Sequence, residues 1–153
     1  MIRDFTDIKL VLRSDQFEEF FDIDLGDNDF EIEEGLDTAD LISEFSDRQV
    51  SLEEAQLGYR GGWVGCEVMG IDPKTWGSKR WVLYNRRLDK TTLRLWEQYT
   101  IDSYKWQIDA GILKSVECEA FVEASNRLGW RTTKTYPDDR SVQSKFSVLW
   151  ERL

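Results

Sequence analysis

Hydrophobic and polar residues alternate along three stretches in the last third of the chain, over 115–124, 128–136 and 142–150. A period of two residues is typical of β-strands that bury one face. Ser125-Asn126 and Pro137-Asp138-Asp139 supply turn residues between these stretches. The pattern predicts an antiparallel meander of three strands, in which glutamates of the first strand face basic residues of the second, such as Arg131.

Two further stretches carry apolar residues at helical spacing, over about 38–48 and about 90–110. In the second, Asp89 is the predicted N-cap and Gly111 the stop signal. Apolar residues on more than one side of this helix indicate that it packs against two neighbours, one of which could be a partner protein. The predicted buried face consists of Leu93, Trp96, Tyr104 and Ile108, widened by Leu95, Tyr99 and Trp106.

The N-terminal third has β-rich stretches at 7–12, 20–25 and 29–35, and turn residues at 26–28 predict a hairpin over 20–35. Residues 49–88 show no clear period. The order of elements predicts an α+β fold, with two main helices packed on one face of an antiparallel sheet. We expect a single domain over 1–153, made of an acidic strand region (1–35) and a core (36–153).

A glycine-rich segment, "YRGGWVG" at 59–65, is followed by "WGSKRWVLYNRR" at 76–87. A phosphate-binding loop would need a dinucleotide or P-loop spacing and a helix directly after it. The spacing matches neither motif, and "CEVMGIDPKTWG" after Gly65 is expected to be another loop. The segment therefore predicts a structural turn, formed by Gly61, Gly62, Trp63, Gly65 and Gly77.

Composition removes several classes of function. The chain has no His, which excludes Ser-His-Asp and Cys-His catalysis and most zinc or iron sites. Cys66 and Cys118 are too sparse for a metal or disulfide framework. No signal peptide or membrane span is expected, and a net charge of −10 argues against nucleic-acid binding. No cofactor and no metal is predicted.

The charge is unevenly distributed along the chain. Residues 1–57 contain 18 Asp and Glu against 4 Lys and Arg, whereas residues 58–153 contain 12 against 16. One interpretation is a protein that binds neighbours of opposite charge; the other is an acidic region that only keeps the chain soluble. A free-standing module that binds a basic protein is a further hypothesis.

Carboxylate chemistry is the catalytic class that composition leaves open. Glycoside hydrolysis requires two acids at a suitable separation, one of them kept protonated by an apolar pocket. Glu67, in the aromatic-rich loop, is the candidate acid for a lysozyme-like peptidoglycan glycosidase. With 30 acidic residues in the chain, such a candidate carries little weight.

Several motifs, taken in order, resemble the small baseplate proteins of Mu-like contractile-tailed phages. They are "GLDTADLISEFSDRQ", "RGGWVG", "GSKRWVLYNRRLDKTTLRLWEQYTIDSYKWQIDAGILKSVECEAFV", "LGWRTTKTY" and "FSVLWERL", which together cover residues 35–153. Val64 stands where the second aromatic residue of the turn often lies in that family. The family is related to the small wedge subunit of T-even phage baseplates and of type VI secretion baseplates.

The resemblance implies a non-enzymatic structural protein of the virion, located in the tail baseplate and in the host cytoplasm during assembly. It implies a handshake-like wedge fold that templates the first ring of tail sheath by β-strand addition. The implied partners are the larger wedge proteins with their helical core bundle, the sheath protein, and hub or tube-initiating proteins. Its implied contacts with the sheath lie on the last strand, at Val142, Ser144, Phe146, Val148 and Trp150.

One departure from the related wedge subunits concerns the contact with the core bundle. Those relatives carry a Glu-Pro-Arg motif after the second helix, where this chain has Asp109-Ala110-Gly111. Asp109 could replace the Glu, but the Pro and Arg are missing. The contact is therefore expected to use Lys114 or the exposed part of the helix, including Trp106.

Overall fold

The computed structural model describes residues 6–8, 10–14, 19–23, 32–34, 37–55 and 57–150, with the backbone alone up to residue 38. The chain divides into two compact units, residues 1–42 and 43–153. The elements of the chain are β1 (Thr6–Ile8), β2 (Leu10–Ser14), β3 (Glu19–Ile23), β4 (Ile32–Glu34), α1 (Asp37–Phe45), α2 (Val64–Met69), a 3-10 helix (Lys79–Leu83), α3 (Lys90–Ser103), α4 (Lys105–Asp109), β5 (Ser115–Ala124), β6 (Arg127–Thr135) and β7 (Ser141–Leu149).

The four N-terminal strands form two separate antiparallel pairs. β2 pairs with β3, with Leu10 opposite Ile23, and β1 pairs with β4, with Thr6 opposite Glu34. The predicted hairpin over 20–35 is therefore wrong. Turn residues at 26–28 show where the chain can reverse, but they do not determine which strand becomes the partner.

The C-terminal strands form one antiparallel sheet in the order β5-β6-β7, which confirms the α+β fold and the predicted meander to within one residue. Glu119 lies opposite Arg131, and the two side chains form a salt bridge of 2.9 Å, as predicted. One face of this sheet contributes to a buried cluster with α3 and the 3-10 helix. The fully buried members of the cluster are Leu83, Trp96, Leu128, Trp130 and Trp150.

The long predicted helix over 90–110 is two helices, α3 and α4, separated at Tyr104. The predicted N-cap is confirmed, because the backbone N–H of Thr92 donates to Asp89 Oδ1 at 2.8 Å. Gly111, with φ of 71°, follows the end of α4. Trp96 and Tyr104 are buried as predicted, and Leu93 and Ile108 are half-buried.

A buried carboxylate in the second unit links α1, the 3-10 helix and β6 to Tyr104, the residue between α3 and α4. Glu44, in the last turn of α1, accepts hydrogen bonds from Arg80 Nη1 at 2.9 Å, Trp130 Nε1 at 2.6 Å and the Tyr104 hydroxyl at 2.6 Å. A second Arg80 nitrogen, Nη2, donates to the Glu44 carbonyl. The guanidinium carbon of Arg80 lies 4.7–5.0 Å from the ring centroids of Phe45, Trp96 and Trp130. The two charges are thus paired with each other inside the core, and aromatic rings surround the guanidinium.

The glycine-rich segment packs against the stretch 46–48. Gly77 has φ of 86°, and a Cβ there would lie 2.6 Å from the Ser46 carbonyl oxygen. Gly61 has φ of 67°, and a Cβ there would lie 2.8 Å from the Trp81 ring. Close backbone approach and a left-handed φ both explain why glycine stands at these positions.

The short helix α2 lies where the sequence predicts a loop. It begins at Val64 and ends before Gly70, whose φ of 67° is left-handed. Six residues are too few to show a helical period, so the pattern of the sequence could not reveal it. Trp63, just before α2, stacks on Trp76 with ring centroids 5.8 Å apart, and Trp76 lies 5.1 Å from Trp106.

We predict that Glu44→Ala lowers the free energy of unfolding by about 3–5 kcal/mol, because it leaves the Arg80 charge buried without its partner. Glu54→Ala is the matched control, since Glu54 forms an exposed salt bridge with Lys79 of 2.8 Å. It should cost at most about 1 kcal/mol. Urea denaturation followed by tryptophan fluorescence measures both, and equal losses would contradict the role given to Glu44.

We also predict that Gly77→Ala destabilises the fold by roughly 3 kcal/mol or more, the sum of a left-handed φ and a clash with backbone. Gly58→Ala separates the two causes, because Gly58 has φ of 80° but a Cβ added there would have no atom within 4 Å. That variant should lose only about 1–2 kcal/mol. Thermal unfolding of the two variants gives the comparison; a similar loss in both would show that φ alone matters.

Candidate functional site

The free edge of β7 is defined by the hydrogen bonds at the two ends of the β6–β7 ladder. The N–H of Trp150 donates to the Asn126 carbonyl at 2.7 Å, and the N–H of Tyr136 donates to the Arg140 carbonyl at 2.9 Å. The register between these ends is uninterrupted. Because bonded and non-bonded pairs alternate in an antiparallel ladder, the even-numbered residues of β7 bond to β6.

The odd-numbered residues of β7 therefore turn their N–H and C=O groups away from β6. Within the described ranges, no other strand pairs with β7. A row of unpaired donors and acceptors of this kind can accept a further strand. The residues that present these groups are Ser141, Gln143, Lys145, Ser147 and Leu149.

At the opposite edge of the sheet, α3 lies beside β5. The N–H of Ala120 points away from β6 and donates to Glu97 Oε1 of α3 at 2.9 Å. This bond also agrees with the pairing deduced for β7. Because the N–H of Ala120 points away from β6, Ala120 and the opposite residue, Trp130, share no backbone hydrogen bond. The backbone groups of Trp130 must therefore bond to β7. The groove between α3 and β5 is lined chiefly by α3 side chains, with Cys118 contributed by β5.

β7 lacks the features that usually protect an edge strand. It contains no proline, no β-bulge against β6 and no charged residue on its core face. Its one charged residue, Lys145, is drawn back across the sheet, because its Nζ donates to Glu123 of β5 at 2.8 Å and lies 5.5 Å from the Phe121 ring. Gly129 between them leaves room for this crossing, and the Phe121 ring lies where a Cβ of Gly129 would be.

The residues of β7 that the resemblance implies as partner contacts all have even numbers. Their backbone groups face β6, and their side chains lie on the core face of the sheet. Val142 is 39% exposed, Ser144, Phe146 and Val148 are half-buried, and Trp150 is 2% exposed. Trp150 is thus a core residue, whose Nε1 donates to the Arg86 carbonyl at 3.0 Å.

The other predicted contact residues lie around α4 and the start of β5. Asp109 is exposed and forms a salt bridge of 2.8 Å with Lys105, one turn earlier. Lys114 is exposed and paired with Asp139. Trp106 is half-buried, and its Nε1 donates to Ser43 Oγ at 3.1 Å. Asp109 and Lys114 present charge to solvent, whereas Trp106 is held by intramolecular contacts.

The candidate acid Glu67 is exposed on α2, so it lacks the apolar pocket that a general acid needs. Burial raises the pKa of the Cys118 thiol to about 11, which keeps it protonated and unreactive near neutral pH. The described residues contain no group of three acidic or cysteine side chains placed to hold a metal ion. Among the described helices, none is long and apolar enough to cross a membrane.

Sequence reasoning missed both Glu97 and the odd-numbered residues of β7. Alternation along a strand shows which side chains face the core, but it does not show to which edge each backbone group points. Glu97 lies among polar residues of a helix and looks like a solvated side chain. Its role follows only once α3 is seen beside β5.

Comparison with known proteins shows the family of this chain. Residues 36–141 match the model of a family described as phage protein GP46. A relative from Haemophilus influenzae, the Mu-like prophage FluMu protein gp46, is 27% identical over 129 residues, which are 84% of this chain and 89% of that protein. These matches confirm the resemblance to Mu-like phage proteins. The chain belongs to the phage protein GP46 family.

Proposed function

We propose that this protein is a non-enzymatic component of a contractile tail baseplate wedge. It contacts the larger wedge proteins and templates the first ring of tail sheath by β-strand addition to its C-terminal sheet. The observation that supports this role best is that no described strand pairs with the outer edge of β7, in a chain that belongs to a phage protein family. In this proposal the protein resides in the tail baseplate of the virion, and in the host cytoplasm during assembly.

The contact with the core bundle of the larger wedge proteins is proposed to use the charged end of α4 and the start of β5. Asp109 and Lys114 are both exposed there, in weak surface pairs that a partner can replace at little cost. Charges in such positions steer association and select partners more than they add affinity. Hub or tube-initiating proteins are further proposed neighbours.

Reconstitution from purified tail proteins tests the proposed templating role. We expect the purified protein to form a complex with the larger wedge proteins of the same tail, and the sheath protein to polymerise faster on that complex than on wedge proteins alone. Light scattering and electron microscopy measure the polymerisation. Equal sheath growth without this protein would contradict the templating role. Deletion of residues 141–153 would not test templating by β7 alone, because it also removes Trp150 from the hydrophobic core.

The wedge contact can be tested separately with Asp109→Lys. Reversal of this charge should weaken binding to the larger wedge proteins several-fold, most strongly at low salt, because screening removes surface electrostatics. Lys105→Ala is the control, since it breaks the salt bridge but keeps the Asp109 carboxylate. Isothermal titration calorimetry at two salt concentrations gives the affinities. Unchanged binding by Asp109→Lys would exclude Asp109 from the contact.

A further inference from the structure

We propose that four cations at the start of α3 form a separate binding surface, which takes a short segment of another protein rich in Asp and Glu. All four side chains are exposed, and they lie within nine residues of the chain. The inference goes beyond the proposed function, because neither β7 nor the charged end of α4 takes part in it. The members of this basic patch are Arg86, Arg87, Lys90 and Arg94.

The side chains of the basic patch make no hydrogen bond or salt bridge with any residue that the structure describes. Most other cations of residues 43–150 are engaged within the chain. Arg48 and Arg60, for example, donate to backbone carbonyls. With 30 acidic residues in the chain, the unpaired patch does not reflect a shortage of acids. The cations held in salt bridges are Lys79, Arg80, Lys105, Lys114, Arg131 and Lys145.

Helix electrostatics disfavours cations at this position. The partial positive charge at the N-terminus of a helix favours acids in the first turn, yet the first turn of α3 contains no acid and begins with Lys90. Asp89 is the one acid within residues 86–94, and its carboxylate caps the helix by accepting the N–H of Thr92 at 2.8 Å. The four cations therefore repel one another and the end of the helix. Carboxylates of a bound partner relieve this repulsion.

The small extent of the basic patch favours a short acidic segment over a nucleic acid. After Arg94, α3 carries no further base, but it carries Glu97 and Asp102. A nucleic acid bears charge along its whole length, so its phosphates would continue over this acidic part of a molecule of net charge −10. A segment with a few carboxylates places them beside the patch alone. Three of the four cations are arginines, and a guanidinium can hold a carboxylate through two hydrogen bonds.

A second copy of the chain does not offer a matching surface in its residues 43–150. The carboxylates of this range that have no described hydrogen bond or salt bridge lie in four different segments, so they form no cluster. Two copies also carry net charge of the same sign, which opposes their association. The acidic residues 1–35 of another copy are the competing occupant that the experiment has to exclude. The four scattered carboxylates are Glu53, Glu67, Asp102 and Glu117.

Peptide binding tests the basic patch in the unmodified protein. The probe is a short fluorescein-labelled oligoglutamate peptide, and its control is an oligoglutamine peptide of the same length. Fluorescence anisotropy measures the affinity of each. We expect oligoglutamate to bind and oligoglutamine not to bind, and the affinity for oligoglutamate to fall as salt is raised, because salt screens exposed charges. Equal binding of the two peptides would overturn the proposal.

Substitution of the cations tests the position of the site. Arg87→Gln with Arg94→Gln removes two unpaired cations and should weaken oligoglutamate binding roughly tenfold or more. Lys105→Gln with Arg131→Gln is the matched control, because it removes two cations that salt bridges at the surface neutralise. The two variants have the same net charge, so a difference between them reports position. Equal weakening would contradict the proposal, and similar melting temperatures show that both variants are folded.

Carbodiimide cross-linking locates the bound peptide on the unmodified protein. The reagent joins a carboxylate of the peptide to a lysine amine that lies beside it, and mass spectrometry identifies the lysine. Lys90 should be the main site of coupling. Lys74 is the control, because it is exposed and its amine is unpaired among the described residues, but it lies outside the basic patch. Coupling to Lys74 as strong as to Lys90 would show that the peptide does not select the patch.

Two further measurements decide between the possible occupants. If a single-stranded oligonucleotide with the same charge as the peptide binds more tightly, and Arg87→Gln with Arg94→Gln abolishes its binding, the ligand is a nucleic acid and the proposal is overturned. Sedimentation velocity of the protein alone tests self-association. We expect a monomer at every salt concentration. Self-association that the same double variant prevents would identify a second copy as the occupant and overturn the proposal.

Discussion

The carboxylate of Glu44 and the guanidinium of Arg80 are both withdrawn from water, so the folded state of residues 43–150 depends on how completely they satisfy each other. Removing an ion from water costs several kcal/mol, which a bare ion pair does not offset. Here the carboxylate also accepts hydrogen bonds from Tyr104 and Trp130, and aromatic rings surround the guanidinium. These groups come from different elements, so displacement of any one leaves buried charge or a buried donor unsatisfied. The pair therefore couples the helices to the sheet.

The same ion pair determines which side chains of β6 lie on the core face of the sheet. Trp130 must turn its indole inward for Nε1 to reach Glu44, which places the even-numbered side chains of β6 in the core. A shift of the strand register by one residue would turn Trp130 toward solvent and leave the Glu44 carboxylate without the hydrogen bond from Trp130 Nε1. Because even-numbered residues of β6 also bond to β7, the odd-numbered groups of β7 face outward. The chemistry of the open edge thus follows from a contact deep in the core.

Sequence patterns predicted the elements whose signals are local and long. The strands of the C-terminal sheet and the Asp89 cap follow from alternation and from one capping side chain. The hairpin over 20–35 was wrong because strand partners are chosen by tertiary packing, and α2 was missed because six residues show no period. Glu44 and Arg80 are 36 residues apart, and in a linear sequence each resembles a solvated charge. For the candidate site, the sequence pattern indicated the strand β7. Which of its residues face outward could be decided only from the hydrogen-bonded register between β6 and β7.

A sheet with two open edges can extend in both directions, and a contact between unlike edges that does not close produces an open-ended chain of copies. A protein that starts the polymer of a different protein must avoid this, because self-association would consume the surface it offers. Here α3 lies beside β5 and Glu97 bonds one of its outward N–H groups, that of Ala120, while Lys145 is drawn away from the edge of β7. In the proposed role, the sheet therefore has one direction of growth, and the next strand must come from a partner.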